Sequence, residues 1–166
     1  VSSDAILKGK SPYLNQTFFL IRVFVILAIW GLFYYLLIRN SNAQDSSRDQ
    51  LLTKKNIILS AIFIPVFAIT ITITAVDWLM SLEPHWFSTI FGVYFFASSV
   101  VASLAAITLF VVILKEKGFM HPKLVDDHLF SLGALQFAFI NFWAYIAFSQ
   151  YLLIWYANLP EENFWF

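Results

Sequence analysis

Four apolar runs, each more than twenty residues long, constrain this chain more than any other feature; they cover residues 17–38, 57–82, 89–114 and 129–156. A hydrocarbon core about 30 Å thick is crossed by a helix of roughly 20 mostly apolar residues, and every run meets that length. Within the second run, Ala68-Ile-Thr-Ile-Thr-Ile-Thr-Ala alternates as a strand would. An open strand in lipid leaves its backbone N–H and C=O groups without partners, so helix is the expected state there too. Pro65 in the same run predicts a bend, because its nitrogen cannot donate to the carbonyl four residues earlier.

Composition agrees with the runs. Hydrophobic residues make up 60% of the 166 and charged residues 12%, against about 25% charged in soluble domains. The expected fold is therefore an all-α integral membrane protein, a four-transmembrane-helix bundle. Val1 in place of a starting methionine, and the aromatic ending Phe-Trp-Phe, lead us to expect a piece of a larger polytopic subunit. Residues 1–16 are polar and show no signal-peptide pattern. The net charge of zero offers nothing for nucleic acid, so the lipid bilayer is the expected environment. The absence of cysteine excludes disulfides, thiolate-held iron–sulfur clusters and c-type haem attachment within the chain.

The distribution of charge orients the spans. Seven of the ten basic residues fall in two connectors: Arg39, Arg48, Lys54 and Lys55 in residues 39–56, and Lys115, Lys117 and Lys123 in residues 115–128. The positive-inside rule makes those loops cytoplasmic. The N-terminal segment 1–16, the turn 83–88 and the tail 157–166, which reads as the start of a further segment, are then on the outer side; Lys8 and Lys10 count against this assignment. Within the first connector, residues 41–49 read as a mobile polar loop.

Haem between helices needs two histidines at one depth. His85 is expected at the outer surface and His121 and His128 at the inner one, so no pair closes on a haem and no metal site is expected. No residue is assigned a catalytic role, and no cofactor-binding residue is identified.

Polar side chains recur along the helices. Ser60, Thr70, Thr74, Asp77 and Ser81 fall near one face of the second, and Asn141, Tyr145 and Ser149 recur four apart on the fourth, with Gln136 and Gln150 nearby. Interhelical hydrogen bonding accounts for most such positions in membrane bundles. The third helix carries Ser98, Ser99, Ala102, Ser103, Ala105 and Ala106, a small-residue face suited to close packing.

Asp77 stands apart, because an intramembrane carboxylate costs roughly 2.5–3.5 kcal/mol on insertion scales. It either pairs or relays protons. Glu83 and His85, in the turn between the second and third spans, are proton-handling groups at a membrane–water boundary. The alternative for them is a solvated turn, with Glu83 preceding a helix-starting Pro84. Asp127 and His128, beside Asp126 at the mouth of the fourth helix, read either as proton-uptake groups or as ordinary partners of the helix dipole. Counting inward from the outer helix ends places Arg22, Asp77, Tyr94 and Gln150 at one depth, roughly 7–8 Å below the surface. A charge there needs a partner, so Arg22 is expected to pair with Asp77, with Gln150 or Tyr94 joining. Such a layer either passes protons toward Glu83 and His85 or serves only as a structural ion pair.

Two blocks carry a family resemblance: Asp77-Trp-Leu-Met-Ser-Leu-Glu-Pro-His-Trp-Phe-Ser-Thr with Phe91-Gly-Val-Tyr, and Phe142-Trp-Ala-Tyr-Ile-Ala-Phe-Ser-Gln-Tyr-Leu-Leu-Ile-Trp-Tyr-Ala-Asn-Leu-Pro-Glu-Glu. In this order they resemble the membrane subunits of alternative complex III, which are similar to the polysulfide-reductase NrfD family. The resemblance spans about residues 75–162. It implies a multi-pass subunit of a bacterial inner-membrane complex that oxidises quinol and passes electrons onward. The partners implied are other membrane subunits and iron–sulfur and multihaem cytochrome c subunits. Those partners would hold haem c and the clusters, with quinol bound in the complex. Such subunits have about twice as many helices, arranged around four-helix bundles, so this chain would be one bundle. Scaffolding is the expected role, together with proton conduction. The alternatives are a secondary transporter fragment, for which helices broken at mid-membrane are expected, or a purely structural membrane anchor.

Overall fold

The computed structural model describes residues 9–83, 85–121 and 123–157. The described residues are helical with no strand, and four helices are long and apolar enough to cross a membrane. They are α1 (Gln16–Ser47), α2 (Gln50–Trp78), α3 (Phe91–Glu116) and α4 (Asp126–Ala157), with a 3-10 turn, Met80–Leu82, after α2. The chain divides into two compact units, Val1–His85 and Trp86–Phe166. In the first, α1 packs on α2; in the second, α3 packs on α4.

In the first unit, α1 begins where the Asn15 side chain accepts from the Phe18 N–H at 2.8 Å, satisfying one of the donors a helix start leaves open. It does not stop at residue 38 as the apolar run predicts. It continues to Ser47, so the polar stretch expected as a mobile loop over 41–49 is mostly helix, and the connector shrinks to Arg48 and Asp49. Tertiary pairing overrides local propensity here. Asn40 donates to Asn56 at 3.0 Å, and Gln44 donates to Thr53, so the two helices zip together beyond their apolar parts. Arg48 closes α1 in the left-handed conformation, φ 54°, its N–H on the Gln44 carbonyl. Asp49 then caps α2 by accepting from the Leu51 N–H at 2.9 Å.

The alternating segment 68–75 is helix, as expected in lipid. Its threonines turn their hydroxyls back onto their own helix, Thr72 onto Ala68 and Thr74 onto Thr70. Pro65 lies inside continuous α2. The interface with α1 is aromatic: Trp30 on Phe67 at 5.6 Å between centroids and Phe33 on Phe63 at 4.9 Å. Trp30 Nε1 donates to Thr70 Oγ1 at 2.9 Å. Of the polar stripe on α2, Thr70, Thr74 and Asp77 are buried, whereas Ser60 is exposed.

In the second unit, Ala97 is 0% exposed, and the other buried side chains include Leu104, Ile146 and Ile154. Thr108 donates to Gln136 at 3.2 Å, a cross-helix bond of the kind expected. The stripe Asn141–Tyr145 is a correction. Asn141 donates to the Phe137 carbonyl of its own helix, and both residues are exposed. An amide can satisfy itself on the carbonyl four residues back and needs no second helix. Ala102, Ser103, Ala105 and Ala106 are likewise exposed, so most of the small-residue face points away from the α3–α4 interface.

The chain turns away from α3 at Gly118, φ 75°, with the Phe119 N–H on the Leu114 carbonyl at 3.0 Å. A glycine suits that left-handed position because it has no Cβ to clash. α4 starts at Asp126, earlier than the apolar run implies, with Asp126 and Asp127 in its first turn. Large apolar side chains such as Phe24, Tyr34, Ile64, Phe110 and Phe137 face outward along all four helices. Apolar surface of that extent marks a protein that meets lipid.

Candidate functional site

Near the start of α1, Arg22 sits about 9 Å along the helix from Gln16. Its Nε donates to Asp77 Oδ2 at 2.6 Å and its Nη2 to Asp77 Oδ1 at 3.1 Å. This two-point geometry is the strong form of a guanidinium–carboxylate pair. Nη1 donates to the Tyr13 carbonyl at 3.1 Å. The guanidinium carbon lies 4.0 Å from the Tyr13 ring centroid and 4.4 Å from that of Phe18. Each of its three nitrogens is thus engaged, and the guanidinium sits against two aromatic rings set edge to face, 6.0 Å apart.

Asp77 lies in the last turn of α2 and is only 3% exposed. The Ser81 hydroxyl donates to its backbone carbonyl. A cavity of about 500 Å³ opens beside the carboxylate, with Asn15, Gln16 and Ser81 as its other polar walls. Tyr13 lies outside the spans. Partial burial pushes its phenol above the ordinary value of 10.0, and the hydrogen bond and charge of Asp77 push the same way, against the opposing Arg22.

Chemically, this is a clamp, an ion pair joined at two points. The clamp ties the turn at Tyr13, the first turns of α1 and the last turn of α2 into one layer at that end of the unit.

The other residues singled out in the sequence have separate settings. Glu83 is in the bend after the 3-10 turn, half-buried, its N–H on the Met80 carbonyl, and His85 is exposed; Pro84 between them lies outside the described residues. Tyr94 and Gln150 belong to the second unit. There the Tyr94 ring stacks on Trp143 at 6.0 Å, and Gln150 Nε2 donates to Ser88 Oγ at 3.3 Å. At the start of α4, the Val125 N–H donates to His128 Nδ1 at 3.3 Å. Asp127 lends its backbone carbonyl to Ser131. His121 Nδ1 likewise accepts the Lys123 N–H at 3.1 Å. These histidines serve the backbone where the chain turns. Asp126 forms an ion pair with Lys115. Among the described residues no three His, Asp or Glu side chains are grouped to hold a metal ion.

Sequence reasoning missed Tyr13, Phe18, Trp30 and Ser88. Phe18 lies four residues before Arg22, a helical neighbour that spacing alone identifies. Tyr13 reaches Arg22 only because the chain turns at residues 11–14 before α1 begins, and no periodicity encodes that. Trp30 finds its partner on a neighbouring helix, and Ser88, in the connector before α3, finds its partner on α4.

The fold and this site define a multi-pass, all-helical membrane protein. No protein-family model matches the sequence, and no curated protein matches it.

Proposed function

We propose that this chain is part of a membrane subunit of a quinol-oxidising respiratory complex of the alternative complex III kind, in a bacterial inner membrane. Its role there is to scaffold the electron-carrying subunits. The observation that carries the reading is the setting of Asp77. This residue opens the block that resembles the family, and it is the buried counter-ion of Arg22 in a clamp that orders the outer end of the α1–α2 unit. A surface ordered in this way suits docking of extramembrane iron–sulfur and multihaem cytochrome c subunits. Haem and clusters belong to those partners in this reading. Here His121 and His128 turn Nδ1 to backbone N–H groups at chain turns. Proton passage, where the complex has it, runs past the clamp toward Glu83 and His85, with Asp77 as a fixed charge along the way.

The transporter alternative calls for paired breaks in mid-membrane helices. α2 runs unbroken through Pro65, and α1, α3 and α4 are each one continuous helix, so nothing favours it.

The test is to purify the native complex through a tag on this chain, identify its companions by mass spectrometry, and record haem spectra and iron content. Co-purification of haem c and iron–sulfur subunits with quinol oxidation is the expected result. A chain that purifies intact without them overturns the proposal. Within an assembled complex, Asp77→Asn should leave quinol oxidation and coupled proton release intact while lowering stability. Selective loss of proton release would make Asp77 a carrier instead of a fixed charge.

A further inference from the structure

The second unit contains a cavity of about 420 Å³ beneath the 86–90 connector, walled by Trp86, Val93, Leu153 and Ile154 and floored by Gln150. That volume is within the ~300–1,000 Å³ of small-molecule sites, which are mostly apolar with a few placed polar groups. Ser88 and Thr89 contribute hydroxyls to the lining, and Gln150 is its one amide side chain. It is 6% exposed, and its amide offers two N–H donors and a carbonyl oxygen with two lone pairs. Among the described residues its one hydrogen bond is the donation to Ser88 Oγ at 3.3 Å. Its Oε1 accepts from none of them and keeps accessible surface at the cavity.

The lining also says what does not fit. It contains no Lys, Arg, Asp or Glu, so a phosphate or ammonium head would enter without a counter-charge, at a steep desolvation cost. Gln150 lies roughly 10 Å along α4 from Ala157. The occupant must therefore be an amphiphile whose head is neutral and able to donate.

We infer that this cavity binds a neutral lipid through one free hydroxyl, which donates to Gln150 Oε1 while the apolar body lies against Val93, Leu153 and Ile154. A glycerol hydroxyl and a phenolic hydroxyl share this chemistry. The inference holds whether or not the chain belongs to a quinol-oxidising complex.

Native mass spectrometry of the full chain in detergent micelles tests it with four probes. 1,2-Dioctanoylglycerol has the free hydroxyl, and decylhydroquinone offers it on a ring. Trioctanoylglycerol has the hydroxyl esterified, and dioctanoylphosphatidylglycerol bears a charge. One molecule of dioctanoylglycerol or decylhydroquinone per chain is expected, and whichever binds tighter identifies the source of the hydroxyl. The esterified and charged probes should bind at least tenfold more weakly. Gln150→Leu should weaken the preferred probe by about tenfold. Leu153→Trp should do the same by filling the cavity from its rim; Leu153 is 64% exposed, so this change leaves the buried interface untouched. Equal binding of all four probes, binding of neither hydroxyl probe, or wild-type binding by Leu153→Trp overturns the inference.

Discussion

Arg22 and Asp77, 55 residues apart in the chain, meet through two hydrogen bonds of 2.6 and 3.1 Å, one guanidinium edge against both carboxylate oxygens. The pair is nearly shut off from solvent, with side-chain exposures of 11% for Arg22 and 1% for Asp77. Removing one partner of a buried pair strands the other charge and costs about 3–5 kcal/mol, whereas replacing both with apolar groups is often neutral. Asp77→Ala should therefore destabilise the protein by about 3–5 kcal/mol. The double variant Arg22→Met, Asp77→Ala should recover most of that loss. Unfolding in mixed detergent micelles measures both. A double variant no more stable than Asp77→Ala would show that the stranded cation is not the cause.

Tyr13 makes the clamp sensitive to alkali. Its phenol is raised above 10.0 by burial first and then by Asp77. A group whose folded pKa is raised adds stability that is fully present below its unfolded value and is lost as pH rises through the folded one. The α1–α2 unit should therefore hold its stability to about pH 10 and lose part of it above that. Tyr13→Phe should remove that part of the alkaline loss. The check is a pH series of melting temperatures for the two proteins. Parallel curves would show that Tyr13 is not the titrating group.

The bond from Trp30 Nε1 to Thr70 Oγ1 joins α1 to α2 where the interface is otherwise aromatic. Interhelical hydrogen bonds in membrane proteins contribute about 0.6 to 2 kcal/mol. Thr70→Val keeps the shape, removes the hydroxyl and should cost that much, clearly less than Asp77→Ala. Because Thr70 Oγ1 also donates to the Val66 carbonyl, the loss should persist in part when Trp30 is already Phe. A double-mutant cycle measures the coupling.

Thr89 and Lys117 flank α3, whose 26 residues span about 39 Å. Both are exposed. With α3 crossing the bilayer and the basic connectors inside, cysteine at Thr89 should react with an impermeant maleimide added outside sealed cells. Cysteine at Lys117 should react only after permeabilisation. Equal labelling of the two from outside would remove the four-span topology.

Much of the fold was legible because lipid leaves the backbone so few choices. Twenty or more apolar residues in hydrocarbon must be helical, so the Thr-Ile alternation at 68–75 could be assigned correctly against its own pattern. Outside the hydrocarbon that constraint lapses. The extension of α1 to Ser47 reads as a loop in the sequence because Asn, Ser and Asp favour turns, and only the bonds Asn40–Asn56 and Gln44–Thr53 reverse that preference. The Asn141–Tyr145 stripe failed in the other direction, since spacing shows which side chains share a face and not whether a helix covers it.

The ion pair between Arg22 and Asp77 followed from sequence alone. A charge at that depth has to be neutralised, and counting residues from the helix ends put a cation and an anion at the same level. What the sequence by itself determined was thus what energy forbids: unpaired backbone in lipid and unpaired charge beneath the surface. What only the tertiary structure decided was which neutral groups meet. Tyr13 reaches Arg22 around a turn, Trp30 finds Thr70, and Gln150 finds Ser88 over a cavity. Each of those contacts is worth too little to be compelled by composition or periodicity. Each arises from the side chains that two packed helices and their connectors happen to bring within 2.9 to 4.0 Å.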